Sequence, residues 1–142
     1  MNNVKKTADD LLDDLYSLAC WMTGNEGLSQ ELVKKTYLYA SPDFEENTLL
    51  RMFRDCYVEQ FGQEEELWFT EKNCQENSRI TDSLKQWAAD IKFSVLLSDI
   101  SELSERQIAE VLRKPLETIR VWLFWGRKFF VNHYLSSPFA DS

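Results

Sequence analysis

The chain has 142 residues, room for one domain or two small helical ones, and its 44% hydrophobic content excludes a disordered polymer. With only 4 Gly and 3 Pro, a strand- and turn-rich architecture is disfavoured against helices. The net charge is −8 and unevenly placed: residues 1–82 hold 8 Lys/Arg against 17 Asp/Glu, a balance of −9, and residues 83–142 hold 8 against 7, a balance of +1. Phosphate neutralisation supplies most of the affinity of a generic nucleic-acid binder. DNA binding is therefore expected only from the C-terminal half, or from a complex whose partner carries the positive charge.

The first element is ADDLLDDLYSLACWMT, residues 8–23, with Leu11, Leu12, Leu15, Leu18, Ala19 and Met22 at helical spacing. Asp9 and Asp10 suit its first turn and Gly24 ends it. A second helix is predicted over 28–40, with Ser29 as its N-cap and a buried stripe of Leu32, Val33, Thr36, Tyr37 and Ala40. A connector with Pro42 leads to a third helix, 48–61, on Leu49, Leu50, Phe53, Tyr57 and Phe61. Residues 62–82 are acidic around Glu64, Glu65 and Glu66 and read as part helix extension, part linker; Leu67, Trp68 and Phe69 are expected to dock on the fold. A fourth helix covers 82–98 on Leu84, Trp87, Ala88, Ile91, Val95 and Leu96.

Ser104-x-x-Gln107 is a capping box ahead of Ile108, Val111 and Leu112. Arg113-Lys114-Pro115 breaks that helix, and Pro115 starts the next, since proline is tolerated in a first helical turn. Helix, three-residue break, helix is helix-turn-helix spacing. Ala109 is small where the two helices cross, and Ile119 and Leu123 face that crossing.

Cys20, Cys56 and Cys74 form no C-x-x-C pair and read as small apolar core residues in a reducing compartment. The N-terminus has no long apolar run, so no signal peptide and no membrane span is expected, and the chain reads as soluble and cytoplasmic.

The C-terminal stretch resembles the promoter-reading domain of bacterial RNA polymerase sigma factors of the extracytoplasmic-function group. Leu103, Ser104, Ile108, Ala109, Leu112, Pro115, Thr118, Ile119, Leu123 and Arg127 fall in register with that pattern. LYSLACWMTGNEGLSQELVKKTYLYA, residues 15–40, resembles the same group's core-binding segment through Leu15, Tyr16, Leu18, Ala19, Gly24, Leu32, Val33, Thr36, Leu38 and Ala40. FEENTLLRMFRDCYVE, 44–59, falls where that family has its promoter-melting helix.

The resemblance implies an all-α protein of two small helical domains. Residues 1–68 would be the core-binding and promoter-melting domain, 69–81 a linker, and 82–142 the helix-turn-helix domain. It implies RNA polymerase core and promoter DNA as partners, with Thr118, Arg120, Arg127 and Lys128 toward DNA and Glu31, Lys34 and Lys35 toward protein. No cofactor, metal, membrane or small-molecule substrate is implied. The departures are specific. Leu28, Gln30, Lys34 and Lys35 stand where the family presents acids and Gln to the polymerase clamp. Glutamates at 59 and 64–66 stand where it has basic residues, and Arg113 replaces the turn glycine.

Trp122 and Trp125 replace two basic positions of the recognition helix and, with Phe129, run down one flank; Val121 and Phe124 lie on the far side. Such a helix is apolar nearly all round and needs cover. The flank can pack on the N-terminal half. It can also anchor a protein partner such as an anti-sigma factor through Trp122, Trp125 and Phe129, or touch DNA. The alternative function is accordingly a sigma-like protein that no longer reads DNA and works by protein contact. An enzyme is not expected: His133 is the only histidine and suits a helix C-terminus, and no phosphate loop or metal-ligand spacing occurs.

Overall fold

The computed structural model describes residues 6–63 and 87–136, with side chains through Lys128. Leu67, Trp68, Phe69, the expected linker 69–81, Cys74 and Leu84 lie outside the described residues, as do the side chains of Phe129 and His133. The described residues are all-helical: α1 (Ala8–Thr23), α2 (Glu26–Ala40), α3 (Glu46–Phe61), α4 (Ala88–Asp99), α5 (Glu105–Leu112) and α6 (Leu116–Ser136). No helix among them is long and apolar enough to cross a membrane.

Each start has a local cause. Thr7 caps α1 reciprocally: its hydroxyl accepts from the Asp10 N–H at 3.1 Å, and the Asp10 carboxylate accepts from the Thr7 N–H at 3.0 Å. Gly24 closes α1 in the left-handed region at φ 67°, as its sequence position predicts. The cap of α2 differs from expectation. Asn25, not Ser29, accepts the Leu28 N–H, at 2.8 Å, so α2 starts two residues earlier than predicted. Asn25 directly follows the Gly24 turn and reaches the orphan amides first. Ser29 is buried inside the helix, donating to the Asn25 carbonyl at 2.7 Å and paired with the Thr23 hydroxyl at 2.9 Å.

The helix predicted over 82–98 begins at Ala88, because Trp87 has non-helical angles (φ −126°, ψ 26°). Every residue from Ala88 to Leu97 is buried, so α4 is the central helix. α1 and α3 pack on it from the N-terminal half and α5 and α6 from the C-terminal half. One continuous core results, from Leu15, Leu18, Leu49 and Phe53 through Ile91, Phe93 and Leu96 to Ile108, Ile119 and Leu123. Phe53 and Phe93 stack across it at 5.4 Å between centroids.

Polar contacts tie the two halves as firmly. Asp90, in the first turn of α4 with its side chain 2% exposed, receives both Arg54 Nε at 2.8 Å and Arg54 Nη2 at 2.9 Å from α3. Gln63 completes the site, donating to Asp90 at 3.0 Å and accepting its N–H at 3.1 Å. The hydrogen bonds to Asp90 outweigh burial and hold the Arg54 guanidinium above its ordinary pKa. Arg51, one turn earlier on α3, donates to the Glu110 and Val111 carbonyls at 2.9 and 3.4 Å. It thus caps the orphan carbonyl end of α5.

Candidate interaction surfaces

The α5–α6 pair presents the first surface. The capping box read from the sequence is present: Ser104 accepts the Gln107 N–H at 3.2 Å and Gln107 accepts the Ser104 N–H at 3.1 Å. α5 ends at Arg113, left-handed at φ 57°, with the Lys114 N–H on the Ala109 carbonyl at 3.0 Å. The Pro115 carbonyl then accepts the Thr118 and Ile119 amides, and α6 runs from Leu116. Ile119, Trp122, Leu123 and Gly126 turn inward. At Gly126 α6 nearly touches α4: a Cβ there would meet Val95 Cγ2 at 2.7 Å and Ile91 Cγ2 at 3.1 Å.

The outward face of α6 carries Glu117, Arg120, Val121, Phe124, Arg127 and Lys128. Val121 and Phe124 are 51% and 61% exposed, which leaves an apolar pair at its middle. Arg120 pairs with Glu105 at 3.0 Å, and Arg127 reaches Asp99 at 3.1 Å and Ser98 at 2.8 Å. Lys128 lies over the Trp125 ring at 5.8 Å, and Thr118 is half-buried. The expected DNA-facing residues Arg120, Arg127 and Lys128 thus share one exposed face, with both arginines already bound to carboxylates of their own chain.

The two tryptophans part ways. Trp122 is 6% exposed and packs on Trp87 at 5.9 Å, with Lys114 over the other ring at 4.1 Å. Its ring is committed to an internal contact. Trp125 is half-buried and meets Phe124 edge-on at 5.2 Å. Over its described side chains, residues 116–128, the helix expected to be covered all round is therefore covered on one side only.

α2 presents the second surface. Glu31 and Lys34 are exposed and Lys35 is half-buried beside Cys56. Burial pushes the Cys56 thiol above its ordinary pKa, as expected of a core cysteine. Leu38 and Tyr39 are exposed at the end of the same helix, at 70% and 54%, and Phe44 beyond them rests on Tyr37 at 5.5 Å. Sequence reasoning did not single out this apolar end. The signal was there in LYA followed by a proline connector, which ends a helix with its side chains uncovered.

The third surface went unread in the sequence. Lys6 donates to Asp14 on α1, to Glu46 on α3 and to the Ser101 carbonyl before α5, at 2.9, 2.5 and 2.8 Å. Burial lowers the pKa of this ammonium, but the hydrogen bonds to Glu46 and Asp14 outweigh it and hold the group above its ordinary value. Around Lys6 opens a cleft of about 1160 Å³ between the start of α1, the start of α3 and the 100–103 turn. The aspartates at 9, 10, 13 and 14, spaced at i and i+4, were the visible signal for an acidic helix edge. Among the described residues, no group of three or more His, Cys, Asp or Glu is arranged to hold a metal ion. In comparisons with known proteins, no family model, no curated protein and no solved structure matches this chain.

Proposed function

We infer that the chain is a sigma-factor-like regulator of transcription initiation. α2 binds RNA polymerase core, and the α5–α6 pair, acting as a helix-turn-helix, is directed at promoter DNA. The observation that supports this best is the α5–α6 unit itself. A capped α5, a three-residue break and an α6 anchored by Ile119 and Leu123 leave Arg120 and Lys128 on the solvent-facing side of α6. That is the presentation a major-groove helix requires.

A second reading, a sigma-like protein that acts by protein contact alone, is favoured by a different observation. Arg120 and Arg127 pair with Glu105 and Asp99, and an apolar pair sits between them. Base edges are read by free Arg, Lys, Asn and Gln, whereas aromatic residues are enriched at protein interfaces.

Affinity purification of the tagged chain from its host, with mass-spectrometric identification, separates the two. Recovery of the large polymerase subunits supports the initiation reading, and promoter-directed transcription by the reconstituted complex then tests it. Recovery of a single small regulator without polymerase overturns it in favour of the second.

A further inference from the structure

The cleft around Lys6 is independent of the α6 face. Among the described residues, six carboxylates line it, Asp10, Asp13, Asp14, Glu45, Glu46 and Glu102, against one cation, Lys6. Lys6 pairs with both Asp14 and Glu46. Asp13, Glu45 and Glu102 are exposed, and their carboxylates have no ion pair among the described residues. Its lining also includes apolar residues: Leu11 and Ile100 are half-buried and Phe44 is 47% exposed. Ser101 lines the same cleft at 2% exposure, and its hydroxyl oxygen has no hydrogen-bond partner. Buried hydroxyls almost always have one, so this group is one donor or acceptor short.

We propose that this cleft is the docking site for a basic amphipathic segment of a protein partner, its Lys or Arg side chains on Asp13, Glu45 and Glu102 and a bulky apolar residue on Phe44 and Leu11. The charge selects the partner. Nucleic acid and anionic membranes are repelled by the unpaired carboxylates. A simple polyamine has no use for the exposed ring of Phe44. The way Lys6 is held shows the chemistry the cleft accommodates: an ammonium shared between two carboxylates and a backbone carbonyl. The net charge of −8 adds long-range steering of a basic partner.

The test uses the full chain and a short synthetic peptide of alternating Lys and Leu, followed by NMR chemical-shift mapping and fluorescence anisotropy. Controls are the same peptide with every Leu replaced by Ser, and spermine. Shifts are expected at residues 10–14, 44–46 and 100–103, with binding that weakens as salt rises. The triple variant Asp13→Asn, Glu45→Gln, Glu102→Gln removes only exposed carboxylates and is expected to lose roughly tenfold or more in affinity. Phe44→Ala is expected to weaken the Leu peptide and leave the Ser peptide unchanged. Circular dichroism checks that both variants keep the fold. Unchanged affinity in the triple variant, shifts elsewhere on the chain, or equal binding of the Ser peptide or spermine overturns the proposal.

Discussion

Arg113 carries a backbone strain that its neighbours impose. Its φ of 57° is the left-handed conformation that ends α5, and an L-residue there is disfavoured by about 1–2 kcal/mol relative to its right-handed form. Glycine escapes that cost while giving back part of it in backbone entropy. Arg113→Gly is therefore expected to stabilise the chain by about 1 kcal/mol, read as a higher urea midpoint at unchanged slope. Gly126 is the opposite case. A methyl there would press on Val95 and Ile91 at 2.7 and 3.1 Å, so Gly126→Ala is expected to cost about 1–3 kcal/mol in the same assay. Both positions were partly legible in the sequence. Arg113 stands where a turn glycine is expected, and Gly126 lies one helical turn beyond Leu123, on the face that Ile119 and Leu123 define. The close approach of α4 at that glycine was not legible, because no local pattern says which helix lies opposite.

At the scale of a helix, caps decided where the reading succeeded. The Ser104–Gln107 box was read directly, because both partners lie within one turn. Ser29 was misplaced because two residues of capping type lie four apart, and the helix takes the one nearer the preceding turn. At α1 the Thr7 N–H and then the Thr7 hydroxyl hold the Asp10 carboxyl below its ordinary pKa. A depressed carboxylate stabilises the folded chain above its unfolded pKa, and that contribution is lost as pH falls through the folded value. Helicity is therefore expected to decline below the ordinary aspartate range of about 3.9, and Asp10→Asn is expected to flatten that part of the profile. Circular dichroism across acid pH reads this directly. Thr7→Ala is expected to cost about 1 kcal/mol.

For the whole molecule, the all-helical class was legible because 3.6-residue periodicity is local. The burial of α4 on every side was not, since its apolar positions read as one stripe while Asp90, Lys92 and Ser94 are buried as well. Nor was Arg54–Asp90 legible, as its partners lie 36 residues apart. Arg54→Ala leaves the Asp90 carboxylate buried without its cation, so a loss of about 3–5 kcal/mol is expected on chemical denaturation. Because the core is continuous from Leu15 to Leu123, fluorescence and circular dichroism are expected to give one coincident unfolding transition. Two separated transitions would mean that the helices on either side of α4 fold independently.

The hydrogen bonds between Gln63 and Asp90 also bear on protein engineering. They join a residue just past α3 to the first turn of α4, so the two halves of the frame are held by side-chain bonds as well as by the shared core. Two separately expressed pieces, one ending and one beginning between these two residues, are expected to reassemble on mixing and to co-elute as one species, which makes the Gln63–Asp90 contact the clasp of a complementation pair.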